Sequence, residues 1–505
     1  MRKLLFALVA MLLFSLSCAL SKPDPNTLVM IIESSPTNLD PRIGLDAQSE
    51  RVDELLFDAL VRRDEHFNLQ PSLAERWEIP DPLTYIFHLR HDVRFHNGQL
   101  LTSRDVKWTL DSLISGKLIS PKASTYNSIS SVEAPDDWTV ILHLKQAYSS
   151  LLWNLSDGAF GVVPNGSTGS FSQQPIGSGP FKFVSARQDR DLVIERNDQY
   201  WGEKPHLQRV RFIVVPDETT QALELRKGSA DAVINALKAD TVRVLQNEKS
   251  IQIDVSPGSN YAYLAFNMRD PILKDVRVRQ AIAYAIDRQE IIHYLMNDMA
   301  KPANSVLPPQ SWASNPGAKG YPHDPDAANR LLDSAGYMKK NGNRFQLAMK
   351  TSTDGATRVL AAALQQQMRA IGIDLQIRTF EFATFYSDVT KGAYQIHSLR
   401  WIGGNQDPDI FESIFATDSF APKRQNRTFY SNPRVDELIK IGRSTVKQED
   451  RKRAYFELQE IVNRDVPYVN LWYFDNVLVH TVRVRNLHVS AAGNYDFLLT
   501  AELAN

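Results

Sequence analysis

The sequence predicts mixed α/β domains, two or three of them. Three observations carry that expectation. Strand-like apolar runs alternate with amphipathic, helix-like segments along the whole chain. At 505 residues the chain exceeds what one hydrophobic core ordinarily organises. Its 43% hydrophobic and 23% charged content is that of an ordinary globular protein. The formal net charge of −1 argues against a nucleic-acid binder, which needs a basic face to displace counterions.

The elements follow in order. Leu28 to Ser34 (LVMIIES) reads as a buried first strand running into polar SSPTNLDP, and Asp53 to Leu60 as a short helix. Leu83 to Arg90 and Val93 to His96 read as strands, with Asn97-Gly98 as a tight turn after them. Thr102-Ser103-Arg104-Asp105 caps a helix running to about Leu113. Trp138 to Leu144 is a strand, and PNGSTGSFSQQPIGSGPF is a surface loop and a domain boundary. LVIERN and VRFIVVP are strands; TTQALELRKGSADAV is a helix, a glycine turn and a short strand. Tyr261 to Met268 is another strand, and Asp275 caps a helix burying Val278, Ala281, Ile282, Ala285 and Ile286. Pro302 to Pro325 is a long connection. Asp326 to Ala335 and Thr357 to Ile371 are helices stopped by Gly336 and Gly372, the second followed by the strand IDLQIRTF. VDELIKIGRS and RKRAYFELQEIV are amphipathic helices, the run Lys447 to Arg453 being a solvated face, and YVNLWYF and VLVHTVRV are strands.

The N-terminus predicts export. Arg2 and Lys3 precede an apolar run from Leu4 to Leu16, short for a bilayer span and right for a secretory signal. Two processing readings stand: cleavage after Ser21, and a lipoprotein signal with Cys18 as the lipidated first residue. Cys18 is the only cysteine, which favours lipidation; Ser15, where such signals usually carry Leu, speaks against it. Either way the exported body has no disulfide, and its stability must come from core burial.

Enzyme signatures are sparse. There is no G-x-S-x-G, no H-E-x-x-H, and no Walker or dinucleotide glycine pattern. Gly177-Ser178-Gly179-Pro180 reads as a turn, since Pro180 lacks the N–H a phosphate cradle needs. His88, His91 and His96 have poor spacing for a metal, because the first two point to opposite faces of a strand. Asp407 and Asp409 invite an acid–base pairing, but they flank Pro408 after two glycines and read better as a turn. Trp401, just before Gly403-Gly404, is a candidate wall of a ligand cleft.

Six motifs in order make the chain resemble the bacterial extracellular solute-binding proteins of family 5, the substrate-binding proteins of peptide/nickel-type ABC importers. LDP (Leu39 to Pro41) comes first. PSLAERWEI with YIFHLRHDVRFHNGQLLTSRDVKWTL is the most recognisable block. PIGSGPFKF, RNDQYWG, AFNM…DVRVRQAIAYAIDRQEII and RVDELI…RAYFELQEIVNRDVPYVNL follow. The resemblance implies a two-lobed periplasmic binding protein fold of type II, large and cluster C-like, with an extra inserted domain. Lobe I would take residues 22–53, 175–260 and 476–505, the insert 54–174 and lobe II 261–475.

It also implies an exported receptor, periplasmic or on the outer face of the cytoplasmic membrane, with no covalent chemistry, cofactor or metal. A peptide or peptide-like solute would lie between the lobes, paired through main-chain groups. Partners would be an ABC permease and its ATPase, with a monomer expected, no nucleic acid, and membrane contact only through a lipid anchor. Expected contacts are Ser34, Ser35, Thr37, Asn267, Trp401, Gly404, Asn405 and Asp407. In peptide-binding members an Asp takes the free α-amino group; that position falls on Gly404 here, so this anchor is missing. Alternatives are an oligosaccharide, haem or nickel-chelate binder on the same fold, a sensor or chaperone, and a secreted hydrolase using Asp407 and Asp409.

Overall fold

The computed structural model describes residues 24–156, 160–168, 170–403 and 406–504. Cys18 and the signal stretch lie outside the described residues, as do Gly404 and Asn405.

Two large sheets organise the molecule. The first has seven strands in the order Ile251–Ser256, Asn476–Thr481, Ala232–Ile234, Thr27–Ile32, Arg209–Val214, Asp191–Arg196, Phe181–Arg187. Thr27–Ile32 pairs in parallel with Arg209–Val214 and with Ala232–Ile234; the other pairings are antiparallel. The second has six strands in the order Ala300–Pro302, Tyr468–Phe474, Tyr261–Phe266, Ile396–Trp401, Phe345–Ser352, Ile373–Phe380. All six residues of Tyr261–Phe266 are buried, which is why that stretch is apolar throughout instead of alternating. Each sheet packs helices against its faces and carries its own cores.

The chain passes from the first sheet to the second between Ser256 and Tyr261, and returns between Phe474 and Asn476. The two connectors lie side by side: Phe474 N–H donates to the Asn260 carbonyl at 2.9 Å. A Cβ on Gly258 would sit 2.2 Å from the Phe474 carbonyl oxygen, so only glycine lets the connectors approach this closely.

A smaller antiparallel sheet, Ala74–Asp81, Thr84–Leu89, Thr139–Leu144, Ile129–Asp136, forms a third core. Its two central strands alternate partly exposed and buried residues, with one face turned to the helix Ser103–Ile114. That helix starts at the expected capping box, Thr102 with Asp105. Val93 to His96 is not a strand: only the bridge Arg94↔Leu100 forms there, around the turn at Gly98.

Local chemistry moved several other boundaries. The helix expected at Asp53 to Leu60 runs Ala47–Leu56, because Asp46 caps it by accepting from Ser49 N–H. The stretch after Asp275 forms two helices, Val276–Ala285 and Arg288–Met296; Ile286 is extended, and Asp287 caps the second. Phe345–Ser352, Phe382–Lys391 and Ile396–Trp401 were not anticipated. The run Lys447 to Arg453 is not wholly a solvated face, since Arg451 is buried with its guanidinium against Trp312 and its Nε–H on the Gly442 carbonyl.

Candidate functional site

In the second lobe, the strand Ile396–Trp401 delivers Trp401 to the sheet's end, partly exposed. Its ring stacks at 6.4 Å from Tyr263 and carries the Arg427 guanidinium 5.3 Å from its centroid. Beside it the helix Phe382–Lys391, capped by Glu381, presents Phe382 and Tyr386. These two rings stack on each other, and they are 55% and 39% exposed; Ile402, next to the tryptophan, is 66% exposed. Such large apolar groups left in water on one rim mark a binding surface.

Arg427 sits within this aromatic rim and is buried. Its guanidinium donates to the Tyr386 hydroxyl at 2.9 Å and the Tyr263 hydroxyl at 3.3 Å. Its position is fixed from both sides of the backbone. Tyr394 O–H donates to the Arg427 carbonyl at 2.6 Å, and the buried Asn426 amide donates to the Ala416 and Tyr430 carbonyls. His397, fully buried beneath, is pushed down to about 3 by burial first and by Arg427 second, so it stays neutral. Arg427 was not among the expected contacts. Its sequence signal was a stretch with no Asp or Glu between Asp418 and Asp436.

In the first lobe Ser34 is exposed and Ser35 half-buried after the strand Thr27–Ile32. Ser35 Oγ accepts from Asp189 N–H at 2.8 Å and lines a hollow of about 40 Å³, too small for a solute. Thr37 is occupied at the start of the helix Ala47–Leu56: its N–H donates to Ser49 Oγ at 3.0 Å and its hydroxyl to Asp46. A larger groove of about 600 Å³ runs between Arg243 and Val255 on one side and His293 and Tyr294 on the other, and holds none of the expected contacts.

Two expected contacts have their polar groups engaged within the protein. Asn267 is buried and engaged inside the second lobe. Its amide donates to the Gly392 and Tyr394 carbonyls at 3.0 and 2.8 Å, and its oxygen accepts from Arg269 N–H at 3.0 Å. Asp407 is buried in a seam between the Tyr148–Ser150 stretch and the second lobe, accepting from Ser150 O–H at 2.9 Å and Asp409 N–H at 2.8 Å. Asp409 pairs with Arg443 at 2.7 Å and accepts from Tyr148 O–H at 3.0 Å. Burial pushes both carboxyls up, Asp409 to about 6 although Arg443 opposes it. Ser149 O–H adds bonds to the Arg443 and Thr445 carbonyls, and Gln406 bridges Arg63 and Ser259. Thus the two aspartates bond residues 148–150 to residues 407–443.

The motif residues likewise have structural partners. Asp58 accepts from Ser178 O–H at 2.8 Å, Tyr200 O–H at 3.0 Å and Trp201 Nε1–H at 3.0 Å, which joins PIGSGPF to RNDQYWG. A Cβ on Gly177 would lie 1.8 Å from the Leu56 carbonyl oxygen. The histidines do not converge. His88 meets Glu78, His91 stacks on Trp138, and His96 accepts from Gly177 N–H and donates to the Gly179 carbonyl.

The family model for bacterial extracellular solute-binding proteins, family 5, matches residues 68–422. The chain belongs to this family. It is 27% identical over 504 residues to heme-binding protein A of Haemophilus influenzae, covering 93% of this chain and 91% of that one. It is 27% identical over 474 residues to the dipeptide-binding protein of Escherichia coli, covering 87% and 88%. Among solved structures, the periplasmic binding protein DppA of Helicobacter pylori in complex with the peptide STSA aligns with a TM-score of 0.74 at 26% identity, covering 94% and 98%. The α/β architecture is that of the two-lobed binding proteins of this family.

Proposed function

We propose that this chain is the extracytoplasmic solute-binding receptor of an ABC importer, taking a peptide or peptide-like solute between its lobes and releasing it unaltered. The reading rests above all on the apolar rim of exposed Phe382, Tyr386 and Ile402 beside partly exposed Trp401, on a lobe joined to its neighbour by two short connectors. A peptide's side chains would stack there while its backbone pairs with main-chain groups. Residues 22–53, 175–260 and 476–505 form lobe I of this reading, 54–174 the insert and 261–475 lobe II. Ser34, Ser35, Thr37, Trp401, Gly404 and Asn405 stay in the proposed contact set, while Asn267 and Asp407, engaged within the protein, drop out of it. The chain would act outside the cytoplasmic membrane, exported by its N-terminal run and held there by a lipid at Cys18, and would dock as a monomer on the permease. Ligand would stabilise the closed form by contacting both lobes.

Native mass spectrometry of the purified exported chain tests this: short peptides or peptide-like compounds should copurify. Recovery of sugars alone, or measurable peptide turnover, overturns the reading. A second reading is haem binding, favoured by the likeness to the Haemophilus influenzae protein. Titration with haemin decides it, since a bound haem gives a sharp Soret band.

A further inference from the structure

Among the described residues, the buried charge on the aromatic rim has no carboxylate partner. Arg427 is only 7% exposed. Among the described residues its side chain donates to two phenol oxygens and to no carboxylate. Its guanidinium lies over the rings of Tyr386 and Trp401, 5.1 and 5.3 Å from their centroids. Taking a guanidinium out of water without an anion is costly, and buried arginines are ordinarily paired.

The acids that could have served are committed elsewhere. Asp407 and Asp409 follow Trp401 in the same loop, but they face Ser150, Tyr148 and Arg443 across the seam. Asp388, on the helix that carries Tyr386, is taken by Lys350 at 2.6 Å. The loop itself, Ile402 to Gln406, contains no acidic residue. The charge presented beside Trp401 is therefore positive, and the planar fork of arginine fits a carboxylate.

We propose that Arg427, with the Tyr386 hydroxyl beside it, receives a carboxylate of the bound solute, and that the solute brings its carboxylate, rather than an ammonium, to the Trp401 end of the site. Trp401 and the Phe382–Tyr386 pair then cover the apolar group next to that carboxylate. This deepens the peptide reading and rests on it. The solute's carboxylate would give Arg427 the anionic partner that the surrounding tyrosine hydroxyls do not supply.

The test uses the full exported chain and three matched probes: Ala-Phe, N-acetyl-Ala-Phe and Ala-Phe amide, titrated by calorimetry. Removing the carboxylate in the amide should weaken binding by about tenfold or more, while N-acetylation should change it by less than about threefold. In Arg427→Gln the gap between the acid and the amide should collapse to within about threefold. Should that variant not fold, the three probes on the unaltered chain still decide. Equal affinity for acid and amide, or a large loss on N-acetylation, overturns the proposal and leaves the peptide reading standing. Binding of none of the three at millimolar concentration overturns the peptide reading and the proposal with it.

Discussion

Replacing Asp58 gives a measurable contrast between two variants. Its carboxylate is buried and takes three donors, Ser178 and Trp201 on one oxygen and Tyr200 on the other, at 2.8 to 3.0 Å. Hydrogen bonds to a charged group contribute about 1.5–3 kcal/mol each, and sharing two oxygens makes them less than additive. Asp58→Ala strands all three donors, so a loss of about 4 kcal/mol is expected. Asp58→Asn keeps one oxygen for Ser178 and Trp201. Its amide then faces the Tyr200 hydroxyl, which can turn and accept. Only charge assistance is lost there, about 1–1.5 kcal/mol. Urea unfolding followed by tryptophan emission reads both. With a slope of about 3 kcal/mol per molar, the alanine variant should shift its midpoint down by roughly 1 M and the asparagine variant by less than about half of that. A midpoint for Asp58→Ala unchanged within about 0.3 M, or equal losses for the two variants, would refute the assignment of Asp58 as the carboxylate that joins Ser178, Tyr200 and Trp201.

Gly258→Ala should cost about 3 kcal/mol, the upper end for overpacking, because its Cβ meets a backbone carbonyl rather than a yielding side chain; an unchanged thermal midpoint would refute the close approach of the connectors. Asp409 and His96 should give opposite pH dependence. The Asp409 carboxyl, raised from 3.8 to about 6, binds its proton more tightly folded than unfolded, so acidification from pH 7 to 4 relieves up to about 3 kcal/mol of cost. Asp409→Asn should remove that gain, and a variant with the wild-type profile of thermal midpoint against pH would contradict it. His96, lowered from 6.5 to about 4 by burial, stays neutral when folded, so it should lose up to about 3 kcal/mol of stability as pH falls through the same window. His96→Gln should flatten that loss in the same scan.

What the sequence made legible was local. The Thr102 and Asp105 capping box, the Asp275 cap and the glycine stop at Gly372 are written in neighbouring residues and formed where expected. The six family motifs were equally readable, although why they persist was not: Asp58 joins residues 120 and more positions apart. Asp407 shows the limit from the other side. Its turn chemistry was readable, but its partner Ser150 lies 257 residues away, and only tertiary packing decides whether an acid faces a seam or a cleft. Asn267 reads as a ligand contact from its place at a strand end, and in the fold its amide ties down Gly392 and Tyr394. Arg427 lacked a local motif, since its meaning comes from what does not surround it.

The paired connectors at Gly258 and Phe474 have a mechanical consequence. Two chain segments bonded edge to edge behave as a strap, pliant when folded across its width and stiff against shear and torsion. A swing about this strap would follow one arc and would have to part the seam that Asp407 and Asp409 make with Ser150, Tyr148 and Arg443, so the same surfaces would face each other at each closure. Selectivity can then be set by a few fixed side chains, with no need for the jaws to search for their alignment.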